Sequence, residues 1–466
     1  MTATVPGTSL PGSTSLPGTP TELPSVERRA RLPAGFRAGG LAAGIKASGR
    51  PDLALAVTTA GPAAVAAVFT PNAFAAAPVR QSRANLAATS GDPRGGFGWA
   101  QAVVSTSGSA NAATGPAGDA DQAEIGRLLA AATGLDFTRL LHLSTGIIGT
   151  RLPLDKVAAG IARLAPTLAA TDDALEAAAV ALRTTDSVTK IATTTVELPG
   201  AGGGPAVAVT VSGIAKGVGM IHPRMATMLA IVLTDAGVDP DVLAGLLRPA
   251  AARTWDQLSV DGDTSTNDTV LVLASGVAGN GPIEAGSAAA AELGRAIEAV
   301  SRDLARQQAA DGEGATTLIT CQVSGGLDDA DARAVARAVV SSSLVKAAAH
   351  GRDPNWGRIA GAAGNATVAD AAVLEAAGIA RDAAAVRAGS PAVLDPDRLR
   401  IAIAGYPVFD GAAGGPLDFD RAAARAAMDA PELLIRVDLG LGGGTGEAFG
   451  CDLTQAYVIE NSEYTT

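Results

Sequence analysis

The chain has 466 residues, of which 47% are hydrophobic, 3% aromatic and 17% charged, and its formal net charge is −11. That length and balance describe a large globular core of two or three domains, and scarce aromatics beside abundant alanine favour small, closely packed helices and strands. An acidic chain without a long basic block is a poor match for nucleic acid or an anionic membrane, because phosphate binding relies on clustered Lys and Arg.

Residues 1–30 are rich in Pro, Gly, Ser and Thr and predict a flexible extension. Apolar runs at 53–57, 64–69 and 102–104 predict strands. Residues 119–132 place Ile125, Leu128 and Leu129 on one helical face, and a second helix is predicted over 155–168. Leu141-His142-Leu143 predicts a strand that gives way to a turn at Ser144-Thr145-Gly146. Thr171-Asp172-Asp173 supplies an acidic first turn for a helix over 174–182. A buried strand is expected from Leu229, then a helix over 239–255 with Asp239 as cap and Pro240 in the first helical position. Residues 288–308 carry one of the clearest helical patterns. Strands at 318–323, 399–403 and 433–439 and a helix over 328–344 then predict a smaller α/β domain at 322–440. That leaves 31–321 as the main domain and 441–466 as a tail returning to it.

Two cysteines, Cys321 and Cys451, cannot build a disulfide framework and suit a reducing cytoplasm. His142, His222 and His350 are scattered, which disfavours a zinc site. No apolar run approaches the roughly 18 residues of a membrane span, and no basic-then-apolar start suggests a secretory signal. The acidic stretch Asp261-Gly262-Asp263-Thr264-Ser265-Thr266-Asn267-Asp268 fails as a calcium loop, with Thr266 at the sixth position and Val272 at the twelfth. It reads as a structural turn near the active site. The glycine run 440–446 lacks the Lys-Ser/Thr of a phosphate loop.

The central stretch is Lys216-Gly217-Val218-Gly219-Met220-Ile221-His222-Pro223-Arg224-Met225-Ala226-Thr227-Met228-Leu229. Taken alone, Thr227 is an ordinary strand residue. A strained Ala226–Thr227 bond would instead let the Thr227 hydroxyl attack the preceding carbonyl. Hydrolysis would then leave Thr227 as an N-terminus whose amine serves as base for its own hydroxyl. Lys216, in a predicted loop beside glycines, is alone a solvated charge; Thr184-Thr185-Asp186 is a helix end, Asp311-Gly312-Glu313-Gly314 a loop, and Asn461 to Thr466 a frayed terminus.

These motifs, with Ser259-Val260 before the acidic turn, Asp353-Pro354-Asn355-Trp356-Gly357-Arg358, Gly450-Cys451-Asp452 and the stretch from Gly35 to Lys46, occur in family order. From about residue 33 to the C-terminus the chain resembles the ornithine acetyltransferase, or glutamate N-acetyltransferase, family. The resemblance implies an α/β fold with a layered α/β/β/α core and the smaller C-terminal α/β domain appended. It implies cleavage between Ala226 and Thr227, Thr227 as nucleophile, and Thr145 and Gly146 as the oxyanion hole. It assigns substrate contacts to Thr184, Lys216, Thr227, Glu313, Asn461 and Thr466, the last two in an ordered tail. Acetyl would pass from N-acetylornithine to glutamate without metal or organic cofactor, in α and β chains assembled as a heterotetramer or larger. An aminopeptidase-type hydrolase of related architecture, passing the acyl group to water, is the alternative, and a non-catalytic binding relative ranks third. Departures from the family pattern are Arg224 for asparagine, Thr317 for lysine, Ser109 for asparagine and Gly443 for aspartate. They bear on substrate identity, and the last six residues look more like specialised-metabolism relatives, such as one associated with clavulanic acid clusters, than like the arginine-pathway norm.

Overall fold

The computed structural model describes residues 23–221 and 228–462. Six strands lie side by side in the order Phe97–Ala100, Ala63–Phe69, Thr269–Ala274, Leu229–Thr234, Val207–Lys216 and Lys190–Leu198. Neighbours are antiparallel except Leu229–Thr234 and Thr269–Ala274, which run parallel. Those two central strands are buried at every position, as a strand covered on both faces must be.

Alternation along each strand builds the layers. On one face Val211, Val232 and Val272 pack against Leu243 and Leu247 of the helix Pro240–Arg253 and Ile297 and Val300 of the helix Ala288–Ala310. On the other, Ile231, Leu233 and Leu271 meet Phe36, Ala54, Val103 and Leu141 of a second sheet. That sheet has four strands in the order Phe36–Leu41, Leu53–Thr58, Ala102–Ser109 and Leu140–Ile147. Its far face, through Leu55, Val104 and Leu140, is covered by the helices Gly115–Thr133 and Leu154–Leu164. The sequence of layers is therefore helix, sheet, sheet, helix, as expected.

A third sheet of seven strands runs Leu258–Ser259, Gly444–Cys451, Leu318–Gly326, Glu432–Asp438, Arg400–Ile403, Tyr406–Asp410 and Gly415–Pro416. The strand Gly444–Cys451 joins two cores: Phe449 and Cys451 enter the one under Ala288–Ala310, and Ala448 enters that of the third sheet.

Several local expectations are corrected. Residues 23–30, counted with the flexible extension, hold the edge strand Lys190–Leu198: the Glu27 and Thr193 backbones exchange hydrogen bonds of 2.8 and 2.9 Å. The helix predicted over 155–168 ends at Leu164 and tightens into a 3-10 turn, Ala165–Thr167, because Pro166 lacks an N–H. The helix predicted over 328–344 breaks into Asp329–Ser341 and Ser343–His350, where the Ser342 hydroxyl accepts from the Val345 N–H and starts the second. Asp239 occupies its predicted cap position without a side-chain cap bond, and Trp255 lies in a separate 3-10 turn. Ser144-Thr145-Gly146 is not a turn but the continuation of a strand to Ile147.

Candidate active site

That strand continues because it pairs in parallel with Ala102–Ser109, setting Ser107 opposite Thr145 and Gly108 opposite Gly146. Gly146 has φ +130°, and a Cβ there would stand 2.4 Å from the Gly108 carbonyl carbon. Glycine is required on both counts.

Lys216 is the last residue of the strand Val207–Lys216, not part of a loop, and is buried. Its Nζ donates to Thr145 Oγ1 at 3.2 Å. Burial pushes its pKa down, Asp186 opposes that, and the nearby charge of Lys190 adds to the lowering. Asp186 accepts from Lys190 Nζ at 2.7 Å, from the Gly217 N–H at 2.8 Å and from the Thr184 N–H at 3.0 Å. Burial alone would raise the Asp186 pKa, but Lys216, Lys190 and these hydrogen bonds together hold it well below the usual carboxylate range. Lys190 is fully buried and also reaches Asp311, which follows the helix Ala288–Ala310.

Glu313 closes the opposite side. One carboxylate oxygen accepts from Thr185 Oγ1 at 2.9 Å and the other from Asn461 Nδ2 at 3.0 Å. Its N–H donates to the Val218 carbonyl at 2.8 Å. Asn461 comes from the terminal helix Gln455–Ser462, so the tail is ordered through that residue and returns to the main site.

A cavity of ≈ 280 Å³ opens between these groups, and Thr145, Gly146, Thr184, Lys216, Glu313 and Asn461 all line it. Six residues chosen from sequence are thus brought to one place. Ala226, Thr227 and Thr466, with Arg224, lie outside the described residues. A model of the ArgJ family matches residues 37–466.

The chain belongs to the ArgJ family.

Among similar proteins, the arginine biosynthesis bifunctional protein ArgJ of Thermosynechococcus vestitus is 43% identical over 448 residues, 93% of this chain and 96% of that protein. Its counterpart from Thermus thermophilus is 43% identical over 436 residues, 94% and 99% of the two chains. Among solved structures, the arginine biosynthesis bifunctional protein argJ of Bacillus halodurans is 37% identical with a TM-score of 0.42, covering 49% of this chain and 95% of that one. The ornithine acetyltransferase of Mycobacterium tuberculosis, complexed with ornithine, is 38% identical with a TM-score of 0.37, covering 43% and 97%.

On and around the cavity of this ArgJ-family chain stand further residues to which the motifs alone gave no site role. Thr185 and Asp186 stand beside the chosen Thr184, and what they touch lies far along the chain, on Glu313 and Gly217. Asn267, Ile147, Ile148 and Met220 also line the wall. Ser109, one of the departures, donates to the Thr150 carbonyl at 2.7 Å, and the hydroxyl of Thr317, another, is buried with no hydrogen-bond partner among the described residues. Among the described residues no group of three or more His, Cys, Asp or Glu is placed to hold a metal ion, and no helix is long and apolar enough to cross a membrane.

Proposed function

We propose that this ArgJ-family chain is a self-processing acyltransferase that moves acetyl from N-acetylornithine to glutamate through an acyl-Thr227 intermediate. The observation that carries this is the convergence of Thr145, Gly146, Lys216, Glu313 and Asn461 on one cavity. After cleavage at Ala226–Thr227, the new α-amine takes the Thr227 hydroxyl proton as the oxygen attacks the acetyl carbonyl. Thr145 and Gly146 donate to the resulting oxyanion, with Lys216 fixing the Thr145 hydroxyl. Collapse breaks the amide, and the proton held by the α-amine passes to the departing ornithine nitrogen. The amine of glutamate then attacks the ester, giving N-acetylglutamate and restoring the Thr227 hydroxyl. Glu313 pairs with a substrate ammonium, and Lys216 binds a substrate carboxylate.

The same reading divides the chain at about 322 and 440, gives an α chain of 1–226 and a β chain of 227–466, and assembles them as a heterotetramer or larger in the cytoplasm. The two free, buried cysteines are in keeping with that location. Arginine biosynthesis, named for the relatives, is the expected pathway, with a specialised-metabolism variant as the alternative setting.

Intact mass under denaturing conditions tests the reading. Two chains split between Ala226 and Thr227 are expected, and Thr227→Ala should remain one inactive chain. Acetyl release that proceeds equally fast without glutamate would instead favour hydrolysis; an active Thr227→Ala would sink the mechanism.

A further inference from the structure

The acidic turn that failed as a calcium loop supports the cavity from beneath. Asn267 and Asp268 are adjacent in it and both buried. Asn267 Nδ2 donates to the Ser144 carbonyl at 2.8 Å and to the Ala110 carbonyl at 2.7 Å, while its Oδ1 accepts from Thr266 Oγ1 at 2.6 Å. With all of these satisfied, its amide has one orientation, and it fixes the residue immediately before Thr145. Asp268 Oδ1 accepts from the Met228 N–H at 2.9 Å, and the Thr269 N–H donates to the Met228 carbonyl at 3.0 Å. Together they fix the residue immediately after Thr227. At the upstream end of the 222–227 segment, Asp261 accepts from the backbone N–H groups of Met220 and Ile221, the latter at 2.8 Å.

We propose that Asn267 and Asp268 are positioning residues that set the register between the Thr227 nucleophile and the Thr145–Gly146 oxyanion donors. The inference rests on the function proposed above and adds to it. One peptide unit spans the two halves of the reaction centre: its Asn end grips the oxyanion strand, and its Asp end grips the strand that the nucleophile leads into. An oxyanion donor works only within about 2.7–3.1 Å of the developing charge. A displacement of about 1 Å can cost about 100-fold in rate. Neither side chain needs to touch the reacting atoms to control that distance. Burial raises the Asp268 carboxyl pKa well above the usual range, opposed by the Met228 N–H and by Lys216; in either protonation state Oδ1 remains an acceptor.

The experiment uses the full chain with Asn267→Ala, Asp268→Ala and the conservative Asp268→Asn, which keeps an acceptor for Met228. Intact mass reports cleavage and the fraction of Thr227 that takes up acetyl; thermal melting reports folding; kcat and KM are expressed per acetylated site. Both alanine variants should lose about 10–100-fold in kcat with KM within about threefold, or stay uncut with a melt like the wild type. Asp268→Asn should return to within about threefold of wild type. Alanine variants with unchanged kcat per site, or a folded Asp268→Asn as slow as Asp268→Ala, overturn the proposal. If the alanine variants do not fold, Asp268→Asn decides by its own kcat. A wild-type chain that is neither cut nor acetylated removes the underlying function instead, which keeps the two failures distinguishable.

Discussion

The Nζ of Lys216 lies 3.2 Å from Oγ1 of Thr145, joining the end of one sheet's strand to the middle of a strand in the facing sheet. Because Lys216 donates to that oxygen, the Thr145 hydroxyl hydrogen is left to point at something else, and the cavity is where an oxyanion would receive it. Thr145→Ala and Lys216→Met should each cost about 100–1,000-fold in kcat/KM, the usual loss for an oxyanion donor. Their double variant should be little worse than Lys216→Met alone, since the part of the loss that Lys216 exerts through the Thr145 hydroxyl is counted only once. Full additivity in a steady-state double-mutant cycle would show that they act separately.

Glu313 has both oxygens occupied by neutral donors, Thr185 and Asn461, which orient it without cancelling its charge. Glu313→Gln should therefore raise KM for an amine-bearing substrate about 10–100-fold, the worth of a charge-assisted hydrogen bond. Cleavage at Ala226–Thr227 should be unaffected. An unchanged KM removes Glu313 from substrate recognition.

Lys190 is fully buried between Asp186 and Asp311, with Nζ 2.7 Å from the former. Lys190→Met removes the ammonium that pairs with both carboxylates, leaving Asp186 to Lys216 and its backbone donors, and should lower unfolding stability by about 3–5 kcal/mol. Asp186 carries a further consequence for pH. Its folded pKa is depressed, so its contribution is present above the unfolded value of about 3.9 and is lost as pH falls through the lower folded value. Denaturant unfolding at neutral and acid pH measures both effects; a Lys190→Met midpoint equal to wild type would falsify the pairing.

Gly146→Ala would place a methyl 2.4 Å from the Gly108 backbone at φ +130°. A destabilisation of at least about 3 kcal/mol follows from strain and overlap together. Because the overlap spreads the strands Ala102–Ser109 and Leu140–Ile147, acetyl transfer should be lost even in protein that remains folded. A variant with normal melting and normal turnover contradicts this packing.

His142 is fully buried, and burial lowers its pKa from 6.5 to about 4, leaving the ring neutral on Gln122 at 3.0 Å. The unfolded chain binds this proton more readily, so stability is intact above about pH 6.5 and falls between there and pH 4, by about 3 kcal/mol in all. Proton NMR should find the His142 ring titrating near 4; a His142 titration near 6.5 would place that ring in water.

Much of this site was legible in the sequence because Thr145-Gly146, Lys216 and Glu313 stand in motifs that resemble the family's, and the fold brings them to one cavity. Thr185, Asn267 and Asp268 were not legible as site residues, because their importance lies in distant backbone and side-chain partners that only folding assembles. The same limit governs the elements. Strong periodicity located the helix Ala288–Ala310 to within two residues of its predicted end. The break at Ser342 was missed, since alanine-rich sequence on both sides continues the helical pattern and a single hydroxyl decides the matter. Lys216 was placed in a loop because the glycines after it mask a strand end.

The order of strands in the six-stranded sheet bears on what cutting at Ala226–Thr227 would do. Ala63–Phe69 and Val207–Lys216 precede that bond in the chain, while Thr269–Ala274 and Leu229–Thr234, which follow it, are inserted between them. The two products would be shuffled together like cards, each completing a sheet that neither could form alone. Severing the backbone would thus change the covalent count without releasing a fragment, and native separation methods should see one particle where denaturant reveals two chains. The interleaving would also set an order of events: folding would come before scission, because strands cut apart beforehand would have to find their neighbours on a separate chain.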